Sequence, residues 1–395
     1  MKFFSYLEKN EMDQLFFIKP QHFNKTSNRE LLSYSLGATL YMPASRTDFY
    51  HDIIKQKQNG LTSLVIDLED AIGDQNVEYA EACLKKGLLQ LYQNMNQEMI
   101  TMNELPLLFF RVRHIEQFKR IYQSLGEIFQ LFTGVVFPKF EAETGRELLT
   151  VVSKISTKEQ PFYCMPILES EKVINKETRM EELVRIKSVL DDYREYILNV
   201  RIGATDFSGI YGIRRSADTT VYDIAVLRDC IADIINIFQR SSCPYVISGP
   251  VWEYFSVKER MLKPQLRQTP FRNHFGDEGR KIRTELIDQN IDGLIREILL
   301  DITNGLIGKT IIHPSHIKAV QALNVVTYEE YVDALNIVES ATGEYGVKKS
   351  QFLNKMNEIK PHYYWAKRML LKSEVYGVLN EEYSSIDLIK QRVFV

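Results

Sequence analysis

Two carboxylates, Glu169 and Asp206, and one guanidinium, Arg111, stand at or just beyond the ends of short apolar runs in this 395-residue chain. Two acids that leave positions open for water and substrate oxygens suit Mg²⁺, a hard cation that rarely receives an all-protein cage. A planar guanidinium at the same place suits bidentate capture of a carboxylate, or of an oxygen on which negative charge is growing. Together they fit chemistry in which such charge must be stabilised. The same acids could equally cap helices or pair with Lys and Arg, and spacing alone leaves both readings open.

Positioning these residues falls to eight apolar runs: residues 38–43 (ATLYMP), 63–68 (SLVIDL), 107–112 (LLFFRV), 134–138 (GVVFP), 162–168 (FYCMPIL), 198–203 (LNVRIG), 245–249 (YVISG) and 309–313 (KTIIH). Most are followed by a longer helix-compatible segment. Continuous rather than alternating hydrophobicity suits strands covered on both faces, as in a parallel sheet. Eight of them with helical crossovers predict a (β/α)₈ TIM barrel. In such a barrel the C-terminal strand ends converge on one mouth. The runs end there in polar residues: Asp67-Leu68-Glu69-Asp70, Arg111 and Arg113, Lys139, Glu169, Asp206 and His313. One charge of this kind is ordinary loop surface, whereas six strand ends carrying them together indicate a site.

We read residues 1–322 as the barrel and 323–395 as a C-terminal helical extension, with amphipathic helices over 328–340 and 363–378. An insertion of about residues 253–303 separates the seventh and eighth runs. Its stretch from 258 to 283 carries eight Lys or Arg against three Asp or Glu, which reads first as solvated surface. The formal charge of −3 and pI near 6.2 give no footprint for nucleic acid, and no run approaches a membrane span. Four dispersed cysteines without a C-x-x-C pair, and an N-terminus without an adequate apolar core for a signal peptide, predict a cytoplasmic protein. G-x-S-x-G, H-E-x-x-H and P-loop patterns are absent from the sequence.

The segments LYMPASRTDF (40–49), VIDLEDAIGD (65–74), FFRVRH (109–114), GVVFPKFE (134–141), MPILES (165–170), RIGATDFSGIYG (201–212) and GKTIIHPSHIKAV (308–320) resemble, in order, the motifs of the citrate lyase β-subunit/HpcH–HpaI aldolase family. D-L-E-D and G-K-x-x-I-H-P are the specific ones, and the likeness spans roughly residues 36 to 376. It implies a Mg²⁺-dependent carbon–carbon lyase, often with a coenzyme A thioester as partner. Residue by residue it implies Glu169 and Asp206 as metal ligands and Arg111 as the substrate-binding, charge-stabilising arginine. Glu69 and Asp70 become outer partners of the metal, Lys139 a mouth residue and Arg46 a phosphate- or CoA-contacting arginine, although an ordinary helix cap suits the Ser45-Arg46 position equally. It also implies a cyclic homo-oligomer, a trimer or hexamer, in which a C-terminal acid, here Glu358, reaches a neighbouring barrel.

The sequence departs from that pattern at 355–362 (KMNEIKPH), where an extra residue precedes the proline, at the basic Ile213-Arg214-Arg215, and in the insertion. These features resemble the C–C bond lyase branch associated with tellurium-resistance-type operons. The expected activity is cleavage or formation of a C–C bond beside the carbonyl of a 2-oxo or 2-hydroxy acid, through a metal-stabilised enolate. Two alternatives accompany it: the same metal site acting on a phosphorylated or nucleotide-like substrate, and a binding or assembly subunit without turnover. His313 is expected to be a buried, hydrogen-bonded histidine.

Overall fold

The computed structural model describes residues 1–58, 60–255, 291–343 and 346–390. The basic stretch 258–283 lies outside them. Eight parallel strands form one sheet: β1 (Ala38–Pro43), β2 (Ser63–Asp67), β3 (Leu107–Arg111), β4 (Gly134–Phe137), β5 (Tyr163–Leu168), β6 (Arg201–Ile202), β7 (Gly249–Trp252) and β8 (Lys309–Ile311). Their order is β6-β5-β4-β3-β2-β1-β8-β7. The ring closes between its two ends by a single parallel bridge, Val200 to Ile247. The chain therefore forms the TIM barrel that its apolar runs predict, with β2, β3 and β5 buried along their whole length.

The seventh run is displaced. The strand occupies Gly249–Trp252 rather than 245–249, because Ile247 and Ser248 are spent on the closing contact: Ser248 donates to the Val200 carbonyl and its hydroxyl to Asn199. Before β8, Gly308 has φ +68, and a Cβ there would lie 2.4 Å from the Gly37 carbonyl oxygen. Only glycine lets the Lys309 amide reach that carbonyl, at 2.9 Å. The Lys309 side chain points away from the mouth into a buried ionic network with Glu297 (2.8 Å) and Asp301 (2.7 Å), which Arg215 joins through Glu297. Buried charges persist only when paired and hydrogen-bonded in this way.

The flanking segments are tied to the barrel and to each other. Phe16–Ile18 pairs antiparallel with Val378–Leu379, and the Phe3 and Tyr376 rings stack at 4.4 Å. Both segments share the main apolar core. The extension contains helices Tyr328–Glu339 and Ile359–Tyr376 and a hairpin, β9 (Val347–Lys349) with β10 (Met356–Glu358). Ala334, Ile337, Ile359 and Ala366 form a second small core between the two helices. The longer helix starts four residues earlier than its amphipathic pattern suggests, and its apolar face is partly covered within the chain, with Trp365, Met369 and Leu370 half-buried. Of the residues available to bury, Ala366, Val375 and Val378 are buried, while Tyr364 is exposed. Among the described residues no helix is long and apolar enough to cross a membrane, and the four cysteines are free.

Candidate active site

A cavity of about 400 Å³ opens at the C-terminal ends of the strands, a size ordinary for a small-molecule site. Asp67 and Arg111, which end β2 and β3, are register partners. The Arg111 fork closes on Asp67, Nε to Oδ1 at 2.7 Å and Nη2 to Oδ2 at 2.6 Å. Nη1 reaches Asp70 at 2.8 Å and Glu69 at 2.9 Å. Burial would depress the Arg111 pKa, but the hydrogen bonds and charge of Asp67 hold it well above its usual value. Asp67 also accepts the Glu69 and Ala71 amides, so it organises the D-L-E-D turn around itself. Arg113 secures the turn from outside by donating to the carbonyls of Leu68, Glu69 and Ile72.

Lys139 follows β4 with φ +47. Its ammonium lies 2.8 Å from Glu69 and 3.4 Å from Asp206, and its amide donates to Glu169 at 3.0 Å. Glu169, after β5, is 3% exposed. A Cβ at residue 203 would stand 1.9 Å from its Oε2, so Gly203 makes the space that the carboxylate fills. Burial, followed by the charge of Asp206, pushes the Glu169 pKa up to about 8. Burial raises that of Glu69 against the pull of Arg111, whereas Asp70, whose burial acts the same way, is brought below its usual value chiefly by Arg111. Glu169 and Asp206 are thus neighbouring acids with one direct cationic contact, Lys139 at Asp206, and among these residues they are the pair that could hold a divalent cation. Among the described residues no three His, Cys, Asp or Glu side chains gather as a cage, so other ligands would be water or substrate oxygens.

The structure brings Glu69, Asp70, Arg111, Lys139, Glu169 and Asp206 together. It does not bring Arg46 or Glu358. Arg46 pairs with Asp52 at 3.0 Å on the surface. Glu358 ends β10 on the extension, exposed, its amide donating to His362 Nδ1. His313 is half-buried, stacked on Phe255 at 4.5 Å with its Nδ1 capping Ser315, while the fully buried histidine is His316. Sequence reasoning assigned no role to Asp67, Arg201, Tyr41, Glu253 or Thr310, all of which line the cavity. For Asp67 and Arg201 a signal existed: each is a charge inside an apolar run, which in a closed barrel suits the interior or mouth, although Lys309 in the eighth run turns outward to Glu297 and Asp301.

A family model described as the C–C bond lyase of the TIM-barrel fold matches residues 30–378. The chain belongs to that family. Among solved structures, CitE from Mycobacterium tuberculosis in complex with magnesium, acetoacetate and coenzyme A is 15% identical, with a TM-score of 0.52 over 86% of this chain and 99% of that one. RipC from Yersinia pestis is 15% identical, TM-score 0.44, over 73% and 94%. The citrate lyase β subunit from M. tuberculosis complexed with oxaloacetate and magnesium is also 15% identical, TM-score 0.44, over 73% and 96%. No curated protein matches the chain. The family match includes β1 to β8 and the whole helix Ile359–Tyr376, so this C–C bond lyase carries its extension as part of the family architecture.

Proposed function

We propose that this protein is a Mg²⁺-dependent C–C lyase that breaks or makes the bond beside the carbonyl of a 2-oxo or 2-hydroxy acid. One observation carries the reading: Glu169 and Asp206 face one cavity at the barrel mouth, with the Glu169 carboxylate driven up to about 8 by burial and by its neighbour. That donor set fits a divalent cation, whose binding would relieve the repulsion. Mg²⁺ held there would supply Lewis-acid stabilisation for the substrate's carboxylate and carbonyl oxygens.

The chain's own residues do the remainder. Arg111, locked by Asp67, places fixed positive charge beside the acids and cannot swing away, the preorganisation that oxygen-centred charge development requires. Lys139 links Glu69 to Asp206; although burial opposes it, the Glu69 hydrogen bond holds its proton firmly, so it acts as an ammonium and not as a base. Asp70, half exposed at the rim with a lowered pKa, is the carboxylate available within the chain to move a substrate proton. Glu358 stands on the extension and can serve the site only from a second copy, in a cyclic homo-oligomer of three or six. A coenzyme A thioester is the candidate partner.

The test is thermal stability with and without Mg²⁺, for wild type, Glu169→Gln and Asp206→Asn, followed by C–C cleavage assays on 2-oxo and 2-hydroxy acids with and without acyl-CoA. Mg²⁺ should stabilise only the wild type. Unchanged Mg²⁺ affinity in both variants would remove the metal assignment.

A further inference from the structure

The cavity holds a second arginine that no carboxylate answers. Arg201 begins β6, level with Ile167 on β5 and therefore one inward-facing step deeper than Glu169. It is 1% exposed, in the layer that a TIM barrel normally fills with branched apolar residues. Its partners are neutral and weak for a group with five N–H donors. Nη2 donates to the Thr310 hydroxyl at 2.9 Å, Nη1 has Thr39 at 3.5 Å and the Met165 sulfur at 3.6 Å, the neutral Tyr41 hydroxyl is a further hydrogen-bond partner, and Nε has none. The Tyr41 ring lies between the two guanidiniums, its centroid 5.2 Å from Arg111 Cζ and 5.7 Å from Arg201 Cζ. Among the described residues no acid lies within ion-pair reach of Arg201.

A guanidinium stays charged in proteins, and burying one without a counter-ion is costly. The fork of Arg111 is already filled by Asp67, so bidentate capture of a substrate carboxylate falls to the other arginine. We infer that Arg201 is a substrate-binding residue at the cavity floor, where its fork and the Thr310 and Thr39 hydroxyls receive a second carboxylate of the substrate. The substrate class is then a short dicarboxylic 2-oxo or 2-hydroxy acid, its carbonyl end at Glu169 and its far carboxylate two strand residues deeper, ~6.6 Å of rise. The substrate class rests on the lyase reading above; the anion site does not.

The experiment measures binding by calorimetry to the full-length protein in Mg²⁺, with oxaloacetate, 2-oxoglutarate, pyruvate and phosphoenolpyruvate as probes, for wild type, Arg201→Met and Thr310→Val. Wild type should bind at least one dicarboxylate roughly 10²-fold more tightly than pyruvate, the scale of leaving a buried charge unpaired. Arg201→Met should erase that preference while keeping its Mg²⁺ affinity and a melting temperature no lower than wild type, since it removes an uncompensated charge. Thr310→Val should weaken the preference several-fold. Equal binding of pyruvate and both dicarboxylates by wild type overturns the proposal, as does an undiminished preference in Arg201→Met or a preference for phosphoenolpyruvate. If Arg201→Met does not fold, wild type and Thr310→Val decide by the same criteria. Loss of the dicarboxylate preference in Arg201→Met, together with unchanged Mg²⁺ affinity in Glu169→Gln and Asp206→Asn, would leave the anion site standing and the metal reading fallen.

Discussion

Glu169→Gln should flatten a pH dependence of stability that the metal-free wild type displays. The Glu169 pKa rises from an ordinary 4.5 to about 8, through burial first and the Asp206 charge second. The folded protein therefore holds a proton that the unfolded chain has released between those two values, and stability must fall as pH rises through that window. At ~1.4 kcal/mol per tenfold change in proton affinity, the ceiling is roughly 5 kcal/mol lost by pH 8. Glutamine keeps an oxygen for the Lys139 amide and carries no proton to lose. The assay is urea denaturation at pH 5, 6, 7 and 8 in EDTA, on both proteins, read as the difference between them. That difference cancels other groups, such as Asp301, which burial raises to about 6. The variant should gain on wild type steadily from pH 5 to 8. Added Mg²⁺ at pH 8 should return most of the lost stability to wild type and little to the variant. Parallel pH profiles in EDTA would refute the reasoning.

Two further outcomes follow. Arg111→Lys keeps the charge but cannot span Asp67 and Asp70 together, so turnover should fall at least ~10²-fold and urea stability by about 1–3 kcal/mol; near-normal values for both would make the arginine dispensable. In sedimentation experiments the full chain should run as a trimer or hexamer at micromolar concentration, and Glu358→Gln should lower activity while leaving that assembly intact; a fully active monomer would dismiss the shared site.

The fold was legible because a strand buried on both faces has to be mostly apolar; the runs that became β1 to β5 show this up to their mouth ends, while those of β6 and β8 do so around Arg201 and Lys309. The seventh misled by one strand length, since Val246 and Ile247 are as apolar as a strand but serve to close the ring. The mouth acids were legible from their places at strand ends. Their partners were not, because pairing is set by register. Asp67 lies opposite Arg111 only once β2 and β3 are aligned, and that alignment turns Arg111 from an open fork into a filled one. The helix Ile359–Tyr376 shows a different limit. Amphipathicity says that a face must be covered, not by what; Tyr328–Glu339 of the same chain packs on part of that face, and Met369 and Leu370 stay half-buried. A deletion after Asn354 would therefore strip Val375, Tyr376 and Leu379 from the main core, and point substitutions are the cleaner probe of a shared site.

The antiparallel pair joining Phe16–Ile18 to Val378–Leu379 also bears on how the molecule is made. On the ribosome, Phe3, Phe4, Leu15 and Phe16, all buried in the finished protein, emerge long before the strand that completes their cover. At ~5–20 residues per second the wait over the intervening chain is roughly 20–70 s. Even β8, which gives β1 its second neighbour, arrives some seconds earlier than that last strand. Throughout this interval the nascent chain presents an aromatic patch and an unpaired edge, both aggregation-prone. The topology thus leaves the closing of this N-terminal patch to the last strand that the ribosome delivers.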